Sequence, residues 1–270
     1  MKFLSLLIPL CLALPSNSLF ILFPLYLYPG ENGAAWNDVF STIEAYPNVQ
    51  YQIVINPNTG PGTTSLPTDA NIIAGIAKLN TYPNVHTVGY VETYHGNRDI
   101  SLVNADTSAY ASWANYPGAN IAIGGIYYDD VGIVDVTTPS NSMNGSIFSY
   151  YANATTYART AFKSPIDIVF NPGTRAPAQL FNYADTVVEF EDSFANYEAQ
   201  GIIGQIPAGL RGKSAVQIYN TPEGADVGGV VGNLTASGVG GVYFGVDRDY
   251  KVYSKVLMGD MAEAVGGQKR

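Results

Sequence analysis

Short apolar segments, rich in β-branched and aromatic residues and closed by Gly, Pro, Asn or Asp, recur along almost the whole chain. Such segments predict buried β-strands. Most gaps between them leave room for a helix, and eight alternating units are the pattern of a (β/α)8 barrel. The predicted strands are Phe23–Tyr28, Tyr51–Asn56, Thr87–Thr93, Ile121–Asp129, Ile166–Asn171, Thr186–Glu191, Ala215–Asn220 and Gly241–Val246. The predicted helices are Trp36–Ala45, Asp69–Leu79, Ser108–Ala114, Gly145–Ala161, Ala176–Ala184, Tyr197–Ala208 and Asp226–Ala236.

A doubly wound open sheet is the structural alternative, because it has the same alternation of strands and helices. The strands read as near-continuous apolar runs, which is typical of parallel strands covered on both faces. The chain has 270 residues, and a barrel of about 250 residues fits that length as one domain. We therefore predict an α/β fold with a single TIM-type barrel over residues 19–270.

The first 18 residues have the layout of a secretory signal peptide: Lys2, then an apolar run over Phe3–Leu14, then Ser16-Asn17-Ser18 as a small-x-small cleavage site. An uncleaved membrane anchor is the alternative, since apolar residues resume at Leu19. Prolines at positions 9, 15 and 24 argue against one continuous spanning helix. We therefore predict a secreted protein, extracellular or at the cell surface, without an integral membrane segment after cleavage.

Composition excludes several classes of protein. The net charge of −9 argues against a nucleic-acid partner, which requires a basic face. Aromatic residues make up 12% of the chain and charged residues only 13%, which excludes a disordered chain. The single cysteine, Cys11, lies in the predicted signal peptide, so the mature protein has no disulfide. Three N-x-[ST] sequons predict a glycoprotein: Asn144, Asn153 and Asn233.

Carboxylates stand at the ends of two predicted strands, where a (β/α)8 barrel carries its active site. Asp129 and Asp130 end the fourth strand, and Glu191 ends the sixth. Acids on half-buried strands are costly to desolvate, and two opposed carboxyl groups are what glycosidic cleavage requires. The alternative is that Asp130 and Asp192 only cap the helices that follow. Glu189 shares strand parity with Glu191 and is expected to point the same way, one layer deeper.

Polar and aromatic residues at the other strand ends are candidates for binding a sugar, by stacking or by hydrogen bonds. The alternative is that the aromatic residues only pack the barrel. No H-E-x-x-H, EF-hand, Walker or G-x-G-x-x-G pattern occurs, so we predict no metal and no cofactor. The candidate substrate-binding residues are Tyr28, Asn56, Tyr94, His95, Tyr128, Asn171 and Tyr219.

At these strand ends the sequence resembles the spherulin-4 family of secreted and cell-surface proteins. The stretch Asn-Pro-Asn-Thr-Gly-Pro-Gly at residues 56–62 is the most specific piece of the resemblance. The matching stretches are collinear and, together with the last predicted strand, extend over roughly residues 23–247. They are Pro24–Pro29, Val54–Gly62, Val88–Arg98, Gly125–Asp130, Val169–Gly173 and Val187–Glu191.

The resemblance implies a (β/α)8 barrel and kinship with fungal glycoside hydrolases that cut galactosaminogalactan, an α-1,4-linked polymer of galactose and N-acetylgalactosamine. It implies that Asp129, Asp130 and Glu191 are the catalytic candidates. Asp129 would orient or stabilise the substrate, while Asp130 and Glu191 would share the acid and the nucleophile or base roles. The family typically has Glu where this chain has Asp130, and a displacement of about 1 Å can cost on the order of a hundredfold in rate.

The sequence and the resemblance together predict a secreted, endo-acting glycoside hydrolase of an N-acetylgalactosamine-containing fungal exopolysaccharide. We expect it to act as a monomer, with the polysaccharide as its partner. The alternative is a non-catalytic wall or surface protein that keeps the cleft and binds the glycan.

Overall fold

The computed structural model describes residues 19–63, 65–133 and 147–266. The predicted signal peptide, Cys11 and the sequon at Asn144 lie outside these residues. The acceptor asparagines of the other two sequons, Asn153 and Asn233, are exposed on helices, where a glycan can be attached. Their glycosylation remains a prediction.

Eight parallel strands close into a barrel in chain order. Closure is made by β1 against β8, where Phe20 pairs with Gly241 and Ile21 pairs with Val242. The predicted (β/α)8 barrel is therefore confirmed, and the open sheet is wrong. The strands are β1 Phe20–Leu25, β2 Tyr51–Ile55, β3 Val85–Glu92, β4 Gly125–Asp129, β5 Asp167–Phe170, β6 Thr186–Ser193, β7 Ser214–Tyr219 and β8 Gly241–Phe244.

Helices surround the barrel, and short 3-10 turns join several of them to the strands. The α-helices are α1 Asn37–Ala45, α2 Ala70–Leu79, α3 Ile100–Ser112, α4 Ile147–Ala161, α5 Phe194–Gln200, α6 Ile202–Gln205, α7 Val227–Ala236 and α8 Lys255–Gly266. The 3-10 turns are Glu31–Trp36, Tyr94–Gly96, Trp113–Asn115, Ala178–Asn182 and Ala208–Lys213. Within the described ranges, no helix is long and apolar enough to cross a membrane.

The apolar core has two parts, because successive side chains of a strand point to opposite faces. One part fills the barrel interior and includes Leu22, Val54, Val88 and Tyr127. The larger part lies between the strands and the helices. At Gly89, which faces the helices, an added Cβ would lie 2.6 Å from the Tyr110 ring, so only glycine allows this tyrosine to pack on the strand.

Several element bounds differ from the sequence predictions for local reasons. β1 begins at Phe20, earlier than predicted, because the apolar residues after the predicted signal peptide belong to the strand. The helix predicted from Ser108 begins at Ile100, where the Asp99 side chain caps it by accepting from Ser101 N–H. The helix predicted over Tyr197–Ala208 is two short helices, because Gly201 adopts the left-handed conformation with φ 58°.

The structure differs from the predicted helices at two further places: one predicted helix is only a 3-10 turn, and one helix was not predicted. The segment predicted as Ala176–Ala184 forms only the 3-10 turn Ala178–Asn182. The chain after β8, for which no helix was predicted, forms α8. Its buried face is periodic, at Leu257, Met258, Met261 and Ala262, and this spacing is the signal that sequence inspection missed.

Candidate active site

One amide group joins two carboxylates at the C-terminal mouth of the barrel. Asn171 Nδ2 donates to Asp129 Oδ1 and to Glu191 Oε2, both at 2.7 Å. Asp129 ends β4, Asn171 follows β5, and Glu191 lies near the end of β6, so three successive strands supply the cluster. The structure thus brings together Asp129 and Glu191, which the sequence analysis placed at the ends of the fourth and sixth strands.

The orientation of the Asn171 amide follows from the turn after β5. Asn171 Oδ1 accepts from Gly173 N–H at 2.9 Å, so the NH2 group is the part that remains to face the carboxylates. Gly173 has a φ of 65°, which the sequence Asn-Pro-Gly accommodates at this tight turn. Gly173 C=O in turn accepts from Glu191 N–H at 3.0 Å, which ties the turn to β6.

A β-bulge in β6 decides which of its two glutamates reaches the mouth. The register of β6 against β7 shifts between Val188 and Phe190, so Glu189 is an extra residue in its strand. Val188 and Glu191 therefore both point into the barrel. Glu189 is fully buried and accepts from Arg175 Nε and Ala176 N–H in the β5–β6 loop. The expectation that Glu189 and Glu191 point the same way is wrong, because the bulge reverses the alternation between them.

Burial changes the acidity of both linked carboxylates. Desolvation raises the pKa of Asp129 to about 7, with a further contribution from the negative charge of Glu191. Desolvation also raises the pKa of Glu191, although the Asn171 amide and the nearby Tyr250 hydroxyl oppose the shift. The charge of Glu191 adds to the effect of burial in raising the pKa of Asp129, so a single proton held by the pair resides mainly on Asp129.

This acidity predicts a pH-dependent stability effect of Asp129→Asn. The folded chain holds the Asp129 proton up to about pH 7, whereas the unfolded chain releases it near pH ~4. Folding therefore binds a proton in this interval, and stability falls as pH rises across it. We expect Asp129→Asn to raise Tm by a few degrees (~2–5 °C) at pH 8 and to change it little at pH 4. Calorimetric scans at the two pH values measure this, and an equal shift at both would contradict it.

Tyrosines and a third carboxylate surround the linked pair, and sequence inspection did not select them. Tyr90 donates to Glu92 Oε2 at 2.8 Å, and its hydroxyl lies beside Asp129. Glu92 Oε1 accepts from the backbone N–H groups of Thr93 and Tyr94. Glu92 ends β3 as Asp129 ends β4, so its position in the strand was a signal that could have identified it.

Two other tyrosines complete the floor of the mouth. Tyr26 and Tyr250 both lie close enough to Glu191 for its charge to raise their pKa values further, although burial is the main cause. Their rings pack edge to face, with centroids 6.0 Å apart. Tyr250 lies in the loop after β8, and nothing in the local sequence marks it as part of the site.

Asp130 lies outside the amide-linked pair, on the rim of the mouth. Its backbone has a φ of 51°, and its C=O accepts from His95 N–H and from the Thr93 hydroxyl. Asp130 Oδ1 is 3.9 Å from His95 Nε2, and both side chains are largely exposed. The structure thus places the predicted residues Asp130 and His95 together, at the solvent edge of the site.

The capping alternative does not describe the two aspartates. The residues that follow Asp130 are not helical through Ile133. Asp192 accepts from Asn196 Nδ2 and from the Tyr219 hydroxyl, but the residue that caps α5 is Ser193.

Most of the other predicted binding residues lie at the mouth. Tyr94 is 54% exposed and has a φ of 47°, so its ring projects from the rim. Tyr28 is also on the rim, where Asp69 and Asn71 bind its hydroxyl. Asn56 Oδ1 accepts from Gly60 N–H and so holds the turn after β2. Tyr219 lies beneath the Arg248 guanidinium, which is 6.0 Å from the ring centroid.

Tyr128 is not at the mouth. It is fully buried in the core between the barrel and the helices, and its hydroxyl donates to Ala154 C=O in α4. Because neighbouring residues of a strand alternate, the inward direction of Asp129 forces Tyr128 outward. In this position Tyr128 cannot touch a ligand in the mouth.

Among the residues that the structure describes, no group of three or more His, Cys, Asp or Glu side chains could hold a metal ion.

Comparison with known proteins agrees with this architecture. The model of spherulation-specific family 4 matches residues 20–265, nearly the whole described barrel. The chain belongs to this family. Spherulin-4 of Physarum polycephalum is 33% identical over 184 residues, which are 68% of this chain and 48% of that protein. The chain therefore spans about half the length of this curated relative.

Two solved structures place the family barrel among known folds. Sph3 of Aspergillus clavatus, solved in complex with GalNAc, has a TM-score of 0.80 and 26% identity, with 93% of this chain and 98% of that chain covered. The chitinase RmChi1 of Rhizomucor miehei has a TM-score of 0.55 and 11% identity, with 92% and 100% covered. The second likeness concerns the fold alone, which is one that glycoside hydrolases use.

Proposed function

We propose that the chain is a secreted glycoside hydrolase that cleaves an N-acetylgalactosamine-containing fungal exopolysaccharide, such as galactosaminogalactan, at internal bonds. The observation that carries the proposal is the Asn171 amide, which holds Asp129 and Glu191 at one mouth of the barrel. The likeness to Sph3, whose structure contains GalNAc, supports the choice of sugar.

The two linked carboxylates have the acidities that glycosidic cleavage needs. Protonated Asp129, with its pKa raised to about 7 by burial, donates its proton to the leaving glycosidic oxygen. Ionised Glu191 attacks the anomeric carbon, and the bond to the leaving oxygen breaks. Water then hydrolyses the glycosyl ester as Asp129 takes a proton from it, which restores both carboxyl groups.

Asp130 has a different part in this scheme from the one that the resemblance implies. It is exposed on the rim with His95, and its charge adds to the effect of burial in raising the pKa of Glu191. We assign Asp130 to contact with a sugar hydroxyl or amino group. An exposed carboxylate also attracts a cationic, partly deacetylated polymer.

The geometry predicts retention of the anomeric configuration. Asp129 Oδ1 and Glu191 Oε2 accept from the same amide nitrogen, so these two oxygens are no more than two hydrogen-bond lengths apart. Retaining glycosidases have carboxyl groups about 5–5.5 Å apart, whereas inverting enzymes need about 6.5–9.5 Å to admit a water. Proton NMR of the first products is expected to give the anomer of the substrate, and the opposite anomer at early time would contradict the close pair as the reacting groups.

Mass spectrometry of soluble products tests the proposal directly. The purified protein is incubated with purified galactosaminogalactan, in parallel with the Glu191→Gln variant. We expect oligosaccharides of several lengths from the parent and none from the variant. Absence of products from a correctly folded parent would overturn the proposed hydrolysis.

Binding without cleavage is the second candidate function. The observation that favours it is Asp130, which is one methylene shorter than the Glu that the resemblance leads one to expect. In that case the parent retains the polymer but releases no products. Asp130→Glu is then expected to gain activity.

A further inference from the structure

A cavity opens beside the carboxylates, between the ends of β1 and β2. It is an open depression of about 320 Å³, a volume that includes space shared with solvent. Its lining combines apolar walls, including Trp36 and Ile72, with a polar edge at Asn56. Apolar surface with a few placed polar groups is the usual lining of a ligand site.

Tyr26 connects this cavity to the catalytic carboxylates. Its ring is part of the cavity lining and packs edge to face on Tyr90 and Tyr250, which lie beside Asp129 and Glu191 respectively. The cavity therefore adjoins the barrel mouth across the Tyr26 ring. If one sugar ring of a polymer lies in the mouth, the next ring along the polymer would reach the cavity.

The outer wall of the cavity is fixed in place before any ligand binds. Tyr28 is half exposed, and its hydroxyl donates to Asp69 Oδ2 at 2.9 Å and accepts from Asn71 Nδ2 at 2.9 Å. Asp69 is itself held as the N-cap of α2. A ring that is immobilised in this way loses little conformational entropy when a sugar packs against it.

Asn56 supplies a donor at the polar edge. Its Oδ1 accepts from Gly60 N–H at 2.9 Å, which fixes the orientation of the amide. The two N–H groups of the same amide have no hydrogen-bond partner within the described residues. They are therefore available to a hydroxyl or an acetamido oxygen of a ligand.

We propose that this cavity binds a second hexopyranose ring of the same polymer, adjacent to the ring held at Asp129 and Glu191, with Tyr28 and Asn56 as its contacts. The inference rests on the proposed function and adds the position of a neighbouring subsite. A subsite of this kind favours oligosaccharides over monosaccharides, because only a ligand of two or more rings fills both positions.

Calorimetric titration tests the subsite separately from catalysis. The Glu191→Gln variant is used as background so that the ligand stays intact, and the probes are N-acetylgalactosamine and a galactosaminogalactan tetrasaccharide. Adding Tyr28→Ala is expected to weaken tetrasaccharide binding about tenfold, the effect of one lost aromatic contact. It is expected to leave the affinity for the monosaccharide unchanged. Tyr157→Ala, which removes an exposed tyrosine on α4, is the control and is expected to change neither affinity.

Tryptophan fluorescence gives a second measurement, since the chain has two tryptophans, Trp36 and Trp113. Trp36 is part of the cavity lining, so Trp113→Phe leaves Trp36 as the one tryptophan, which is excited selectively over the tyrosines at long wavelength. The tetrasaccharide is expected to change its emission with saturation, and the monosaccharide is not. If the tetrasaccharide binds without dependence on Tyr28 and without a change in Trp36 emission, the subsite is overturned while the proposed function stands. If no glycan binds at all, both fail.

Discussion

Glu191→Gln is expected to lower the rate of galactosaminogalactan cleavage by about 1,000-fold or more, with little change in polymer affinity. The amide keeps the size of the carboxylate but cannot attack the anomeric carbon. Asn171 Nδ2, which donates to Glu191 Oε2 at 2.7 Å, can still donate to the amide oxygen, so the fold is expected to survive. Initial rates of reducing-end release measure kcat and KM separately.

Glu198→Gln is the matched control, because Glu198 lies exposed on α5, a few residues along the same segment. We expect its rates to equal those of the parent. A Glu191→Gln variant that keeps more than about a tenth of the parental kcat would remove Glu191 from the role of nucleophile, because loss of a covalent catalyst has far larger effects.

Arg175→Ala is expected to lower the free energy of unfolding by about 3 kcal/mol at pH 8. Among substitutions of partly exposed side chains near the site, we expect this loss to be the largest. Arg175 is partly exposed, but its partner Glu189 is fully buried at the bulge of β6. Removal of the guanidinium leaves a buried carboxylate with only the Ala176 N–H as a donor. Urea unfolding monitored by circular dichroism measures the loss.

The charge of Glu189 is the physical cause of this loss, so its removal should reverse it. We expect the double variant Arg175→Ala, Glu189→Gln to recover most of the lost stability, since the Gln oxygen can still accept from Ala176 N–H. Lys255→Ala is the control, because its ion pair with Asp38 is exposed on both sides and is worth less than about 1 kcal/mol. Failure of the double variant to recover would mean that lost packing of the Arg175 stem, rather than the charge, explains the effect.

This ion pair also links stability to the proposed chemistry. Arg175 lies in the loop that begins with Asn171, and Glu189 precedes Glu191 across the bulge. The pair therefore fastens the β5 loop to β6, where the bridging amide and the second carboxylate must stay within hydrogen-bond distance. The chain connection between β5 and β6 does not by itself hold the Asn171 amide in line with Glu191.

Strand order, the parallel barrel and the position of Asp129 and Glu191 at strand ends could be predicted from the sequence, because they depend on local patterns. Each strand has its own apolar run and its own closing residues, and the acids follow directly from the strand ends. The family resemblance pointed to these two acids and also to Asp130. The missed helix α8 also had a readable pattern, since its buried residues recur at helical spacing.

Only the tertiary structure decided how the strand-end residues combine. The bulge in β6 turns Glu189 toward Arg175 and Glu191 toward the mouth, because one extra residue reverses the alternation of side chains. The pairing of β5 with β4 on one side and β6 on the other brings Asn171 between two carboxylates that are 42 and 20 residues away in sequence. Likewise, the Tyr128 side chain packs in the core between the strands and the helices, because the next residue, Asp129, points into the barrel. The sequence determined which residues stand at the mouth, and the packing of eight strands determined which of them touch.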